Sequence, residues 1–530
     1  MGAHGTWAPV LHAHLPFVRH PESARYLEEE WFFEALAESY WPLVDALERL
    51  RRDGVPYALT LSISPTLGAM LADTLLAARY RTYLEERLRA LVGERRRLPH
   101  AAAAVVDLYV ARYEWLLGRC VDGGAGAVLR AFARLAEAGG LEIITTAATH
   151  AYLPVLGAFG IDVRPQIALG RRWHAAQFGS RAAGMWLPEC GYFPALAGEL
   201  VAQGVGYVVV ERHGLLHGRP RPQSGVHRPV RTPEGLAVLA RDYESAQQVW
   251  SSIDGYPGDA CYRDFYRDAG FDSDAPHLLP LRHSVEPSFT GLKYHAVGDA
   301  REDKPLYDPE RARARVRAHA HDFVARRRAQ VQWLGGVMDE APVLVTPYDA
   351  ELFGHWWFEG PWWIEEVFRE LARSGDELRA LTVSAAVAQC PAMQQLEVAE
   401  SSWGEGGYHR VWLNPATDWI YPRLARAASA MANAARAPIA ASGLVERALV
   451  QAGRELLLAQ SSDWPFMLTR NSASDYARRR VVEHLDNTER LLGEVARGSV
   501  DASALRLLEE RHNLFADLRV DDFAGSGVAP

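Results

Sequence analysis

Cysteine is scarce in this chain. Cys120, Cys190, Cys261 and Cys390 lie far apart with no Cys-x-x-Cys pair. That spacing excludes a disulfide framework or a thiolate metal site and suits a reducing cytoplasm. Long apolar runs are missing as well: none reaches the roughly 20 residues of a spanning helix. The N-terminus has no basic stretch followed by an apolar core, because His4, His12 and His14 interrupt it. A basic excess is absent, the net charge being -9, which argues against nucleic acid or an anionic membrane as partner. There is no Gly-x-Ser-x-Gly elbow, no internal repeat, and no glycine-rich phosphate loop after a strand. GAGAV (Gly124 to Val128) falls in a helical stretch and lacks that context. The expectation is a cytoplasmic globular protein without a nucleotide cofactor.

What is present is aromatic. Sixteen tryptophans stand in the chain, several beside acids, histidines and glycines. Such clusters suit sugar rings, whose C–H faces stack on indole while their hydroxyls bond to polar groups. A length of 530 residues exceeds what one core usually supports, so a large domain with smaller ones is expected.

Near-continuous apolar runs alternate with helical patterns over most of the first 390 residues. The expected strands are 6–14, 57–64, 141–150, 182–189, 207–212, 236–242, 341–349 and 380–384. Runs without polar alternation are those of parallel strands covered on both faces, and the βαβα order gives an α/β barrel. The spacing predicts a catalytic barrel over 1–400, interrupted by a helical insertion at 66–140. A Gly-, Pro- and Arg-rich loop at 213–235 is expected to act as a lid. A helical C-terminal domain follows over 401–525, its helices at 419–437, 444–460, 475–497 and 502–518. The final SGVAP is expected to fray, and the run Arg326 to Arg328 to be the solvated face of a helix.

The polar residues are unevenly placed. His12, His14, Ser62, Ser64, His150, Glu189, Glu211, Asp242 and Asp349 all come at C-terminal strand ends, the rim where a parallel barrel builds its site. Glu189 in LPE and Asp349 in TPYD form the main pair. Two carboxyls in unlike environments suit glycoside cleavage, one attacking the anomeric carbon and the other protonating the leaving oxygen. The spacing is equally consistent with two helix caps. His12, His14 and His150 fit hydrogen bonds to sugar or carboxylate, a metal site, or plain core packing. WGEGGYHRVWLN (Trp403 to Asn414) reads either as a stacking platform or as packing between domains. In FGHWWFEGPWW (Phe353 to Trp363), spacing does not separate core tryptophans from exposed ones.

HAHLPF, TTAATHAYLP, WLPECGY, TPYDAELFGHWW and WGEGGYHRVWLN, taken in order, resemble the motifs of glycoside hydrolase family 57. More narrowly they resemble its 1,4-α-glucan branching enzymes, and AQQVWSSIDGYPGD (Ala246 to Asp259) is similar to a further family stretch. The resemblance implies a (β/α)7 barrel and a retaining double displacement on α-1,4-glucan, without metal or cofactor. It casts Glu189 as nucleophile and Asp349 as general acid/base, with His12, His14 and His150 at the donor site. It matches Trp31, Trp250, Trp403 and Trp412 to glucan-binding aromatics, and Asp463 to a C-terminal-domain position reaching the cleft. Branching members carry a tyrosine at the lid tip. Leu215 to Glu234 contains none, and His227 stands near its place. Weaker shielding from water would favour an amylase. A metal-dependent deacetylase or α-mannosidase would instead use His12, His14 and a rim acid as ligands, and a non-catalytic glucan-binding protein is the remaining alternative. A monomer or weak oligomer is expected.

Overall fold

The computed structural model describes residues 5–251, 255–283, 286–298, 304–438 and 443–525. Residues 252–254 of the AQQVWSSIDGYPGD stretch and the SGVAP tail lie outside the described residues.

Among the described residues nine strands form one sheet: β1 (Gly5–Ala13), β2 (Leu59–Ile63), β3 (Leu141–Thr146), β4 (Gly184–Trp186), β5 (Tyr207–Val210), β6 (Val230–Arg231), β7 (Ala237–Ala240), β8 (Val343–Asp349) and β9 (Leu378–Ala380). Their order is β6-β7-β5-β4-β3-β2-β1-β8, with β9 on β1. All pairings are parallel except β6 with β7. Past the end of β7, the Asp242 amide donates to the Val345 carbonyl at 2.8 Å, and a parallel bridge joins Arg241 to Val345. That contact closes seven strands into a distorted (β/α)7 barrel. The distortion is visible at β1, whose one edge is shared: β9 takes Gly5–Trp7 and β2 takes Val10–Ala13.

Alternation along the strands sorts the core. Ala8 and Val10 of β1, Val343 and Val345 of β8, Tyr207 and Val209 of β5 and Leu239 of β7 form a compact buried cluster. Trp7 and Leu11 belong instead to the larger core shared with the surrounding helices. Because the side-chain period is two, His12 shares its face with Ala8 and Val10, and Asp349 shares its face with Val343 and Val345. The register pairs His12 with Asp349 directly. Both therefore cap the interior column of the barrel.

Between β2 and β3 run helices Pro65–Ala72, Thr74–Arg97, Ala103–Gly123 and Ala127–Glu137. After the barrel come Ile420–Arg436, Gly443–Ala459, Asp463–Arg470, Ser474–Arg497 and Ala502–Arg511. Among the described residues no helix is long and apolar enough to cross a membrane.

Several local expectations are corrected. The strand expected at 380–384 is displaced: β9 is Leu378–Ala380, so only Ala380 of that run lies in it, and Val383–Ala388 is a helix whose N-cap Thr382 accepts from the Ala385 amide. The last α-helix among the described residues ends at Arg511, not near 518. Arg327 is fully buried, ion-paired to Asp242 at 3.4 Å and Glu244 at 2.6 Å, so only part of the arginine run faces solvent. Asp242 itself caps the helix Tyr243–Trp250 by accepting from the Ser245 amide at 2.9 Å, which turns it away from a catalytic role. The loop 213–235 does not arch over the rim. It descends the barrel wall, where the His227 carbonyl accepts from the Val343 amide at 2.8 Å and Arg228 pairs with Glu340 at 2.8 Å. Val343 begins β8 and Asp349 ends it, so His227 sits roughly 20 Å from the acid at about 3.3 Å per residue.

Candidate active site

Glu189 lies three residues past β4, in a turn that sequence patterning reads as strand. Its backbone is left-handed (φ 63°, ψ 24°), and so is that of Cys190 at φ 52°. Such conformations cost a non-glycine residue about 1–3 kcal/mol and persist only where the surroundings impose them. Here the surroundings are the stretch from Ser401 to Trp403. Tyr192 and Ser401 exchange backbone hydrogen bonds of 2.9 and 3.0 Å, and the Trp403 amide donates to the Glu189 carbonyl at 3.0 Å. The Trp403 indole Nε1 then donates to Glu189 Oε2 at 2.7 Å, and Ser462 Oγ lies 3.5 Å from Oε1. One tryptophan thus holds both the main chain and the carboxylate. The indole packs against Trp186 and Trp250, with ring centroids 5.1 and 5.9 Å away.

Burial raises the Glu189 carboxyl to about 7, with the negative charges of Asp349 and Asp463 adding to the rise and the Trp403 hydrogen bond and His14 opposing it. Asp349, at the end of β8, is pushed up to about 8 by burial and by the charge of Glu351, with Arg241 opposing. Glu351 rises to about 7, chiefly by burial. It accepts from the Tyr40 hydroxyl and from the His14 amide at 3.1 Å, and Tyr40 ends a single π-helical turn, Leu36–Tyr40.

The three histidines meet. His12 Nε2 and His150 Nε2 are 2.8 Å apart, and the rings of His14 and His150 stack at 3.9 Å. Burial, followed by the neighbouring imidazoles, holds His12 well below its ordinary value, and burial with His14 does the same for His150. Both are neutral near pH 7, so one ring donates to the other. His14 Nδ1 meets Ser64 Oγ at 2.8 Å and its Nε2 meets Asp463 Oδ2 at 3.0 Å. Burial works against charge on Asp463, but His14 and the other partners outweigh it and keep the carboxyl below its ordinary value. Ser462 completes the group, its hydroxyl 2.8 Å from His150 Nδ1 and its amide donating to the His150 carbonyl at 3.1 Å. The C-terminal helices therefore supply one wall of the cleft. Ligand atoms of His14, His150 and Asp463 lie within 4.8 Å of one another, a different set from the His12, His14 and rim-acid trio that a metal enzyme would use.

The four tryptophans separate. Trp250 and Trp403 line a groove of about 500 Å³ together with Glu211, Arg241, Tyr243 and Gln247. Trp412 is buried, 1% exposed, and stacks on Tyr152 at 4.0 Å. Trp31 meets Tyr476 edge to face at 5.9 Å, between its own helix and the C-terminal helices. Arg241, Glu351, Tyr40 and Ser462 went unnoticed in the sequence. Adjacency is the only local signal: Glu351 stands two residues after Asp349, Arg241 directly before Asp242 and Ser462 directly before Asp463.

The model of glycosyl hydrolase family 57 matches residues 8–399, the segment that supplies both acids and all three histidines. The chain belongs to glycosyl hydrolase family 57. A second model, 1,4-alpha-glucan branching enzyme C-terminal, matches 423–523 and so includes Ser462 and Asp463. Among family 57 proteins, the 1,4-alpha-glucan branching enzyme of Thermococcus kodakarensis is 32% identical, over 97% of this chain and 78% of that protein. The alpha-amylase AmyC from Thermotoga maritima superposes with TM-score 0.91 at 35% identity, covering 99% of this chain and 100% of that one. The family 57 branching enzyme from Pyrococcus horikoshii gives TM-score 0.88 at 32% identity, covering 99% and 98%.

Proposed function

We propose that this protein is a 1,4-α-glucan branching enzyme working by retaining double displacement. Glu189 attacks C1 of an α-1,4-linked glucose, and Asp349 delivers its proton to the departing glycosidic oxygen. The result is a covalent glycosyl–Glu189 ester and a shortened glucan with a free 4-hydroxyl. Asp349, now ionised, takes the proton of a 6-hydroxyl on an acceptor glucan. That oxygen displaces Glu189 from C1 and leaves an α-1,6 branch. No metal or cofactor takes part. His12, His14, His150 and Asp463 bind the hydroxyls of the donor sugar, while Trp250 and Trp403 stack on the glucan.

The observation that carries this reading is the unlike setting of the two buried rim carboxyls. Glu189 accepts from the Trp403 indole at 2.7 Å, which favours its ionised form, whereas the charge of Glu351 favours the protonated form of Asp349, as an attacking group and a proton donor require. The C-terminal branching-enzyme match favours transfer over hydrolysis. The likeness to AmyC favours the amylase. The branched product is glycogen-like and is made in the cytoplasm.

Incubating the protein with amylose decides between them. New α-1,6 linkages, counted by proton NMR, are expected to exceed new reducing ends, with activity unchanged after dialysis against a chelator. Reducing ends without branches would make the protein an amylase, and loss of activity with the chelator would restore the metal alternative.

A further inference from the structure

The segment FGHWWFEGPWW is resolved by the structure in an unexpected way. Trp357 and Trp363 are buried, each 1% exposed, whereas Trp356 is 53% exposed. Trp356 stands seven residues after Asp349, on the loop that leaves the C-terminal rim of the barrel. Its amide donates to the Glu351 carbonyl at 3.2 Å, and the Trp357 amide donates to the Leu352 carbonyl at 2.8 Å. Gly354, at φ 115°, lets the loop lie against the Leu36–Tyr40 turn, since a Cβ there would come within 1.8 Å of the Glu38 carbonyl oxygen. The loop is therefore pinned, and so is the backbone that presents the indole.

Trp356 does not stand alone. Its ring stacks on Phe265 at 4.3 Å and 24°, and Lys293 Nζ lies 3.9 Å from the centroid of Phe265. Tyr266, 71% exposed, meets Phe265 edge to face at 5.2 Å. Phe289, 42% exposed, lies 6.3 Å from Phe265, and Phe271, 49% exposed, lies 4.9 Å from Phe289. Large exposed aromatics from separate segments that touch in one patch mark a binding surface. Polar groups are interleaved with the rings: His355 is 5.6 Å from Trp356, and the Arg267–Asp272 pair at 3.1 Å belongs to the same segments. Alternating rings and hydrogen-bonding groups suit a neutral polyhydroxylated chain better than a purely apolar partner.

We infer that Trp356, Tyr266, Phe289 and Phe271 form a second carbohydrate platform, outside the catalytic groove, that holds a distant stretch of the same α-glucan polymer. This rests on the glucan reading of the active site. A polymer bound at the platform raises the effective concentration of its other residues at the rim that carries Asp349. A short oligosaccharide that occupies the catalytic groove alone gains nothing from the platform.

The test uses the full chain with Trp356→Ala and Tyr266→Ala, singly and together, and with Trp356→Tyr as the variant that keeps a stacking ring. Native electrophoresis through gels containing amylopectin measures binding without turnover. The single alanine variants are expected to lose about 2- to 12-fold in amylopectin affinity, the size of a lost aromatic contact, and the double variant more, with Trp356→Tyr close to wild type. Turnover of a short maltooligosaccharide and the melting temperature are expected to stay unchanged. Unaltered retardation of the double alanine variant would overturn the platform, whatever the amylose assay shows. A change in oligomeric state by light scattering, with retardation intact, would overturn it too and assign the patch to protein contact. Because binding is read without chemistry, failure of the branching assay leaves this measurement independent.

Discussion

Replacing Trp403 by phenylalanine separates the two things that tryptophan does. The phenyl ring can still pack between Trp186 and Trp250, and the residue 403 amide still donates to the Glu189 carbonyl. Only the 2.7 Å hydrogen bond from the indole Nε1 to Glu189 Oε2 is lost. A hydrogen bond to a charged group contributes roughly 1.5–3 kcal/mol, and about 1.4 kcal/mol corresponds to one unit. The bond stabilises the ionised form, so its loss raises the Glu189 pKa from about 7 to roughly 8–9. At pH 7 the ionised fraction falls from about a half to about a tenth or a hundredth, a roughly 5- to 50-fold loss in kcat/KM. With Asp349 still near 8, the optimum moves from about 7.5 to roughly 8–8.5. The assay is kcat/KM for amylose across pH 5 to 10. A uniform loss at every pH, with the optimum unmoved, would refute the reasoning and reduce Trp403 to a stacking surface.

Glu189→Gln is expected to bring turnover below about a thousandth of wild type while stabilising the fold at alkaline pH. Folded Glu189 keeps its proton up to about 7 against an ordinary 4.5. The native state therefore binds more protons than the unfolded chain across that window, and stability falls as pH rises through it. Removing the group relieves up to about 3 kcal/mol, or roughly 2–3 °C in a chain of this length, visible by calorimetry at pH 8 and absent at pH 4.5. Glu351→Gln keeps an acceptor for Tyr40 but removes the charge that helps raise Asp349. The basic limb of the pH profile should move down by roughly one unit, with the acid limb steady. An unmoved basic limb would remove Glu351 from the tuning of the acid.

Much of the catalytic domain can be read locally. Near-continuous apolar runs place β1, β2, β3, β5 and β8, because strands covered on both faces need no polar alternation. The rim position of Glu189 and Asp349 follows from where those runs stop. Local reading fails where a residue's partner is distant in the chain. Asp242 and Asp349 end their strands alike, yet Asp242 turns to Arg327 and its own helix, while Asp349 caps the barrel interior. Arg327 sits in an arginine run that looks solvated, and it is buried because two acids from another segment meet it. The loop around His227 has a lid's composition, and only the pairing of β6 with β7 and the bond to Val343 carry it to the opposite end of the barrel.

From the sequence alone, the chain's periodicity and its aromatic, acidic and histidine content determined an α/β barrel with carboxyls at its rim. The folded molecule alone decided which groups share a cavity. It set the turn at Glu189 against Trp403, brought Ser462 and Asp463 from the C-terminal helices onto His150 and His14, and left Trp356 outward while burying Trp357. Periodicity reports which face of an element is apolar. Proximity across hundreds of residues, and the desolvation that separates two carboxyls, exist only once the surfaces have closed on one another.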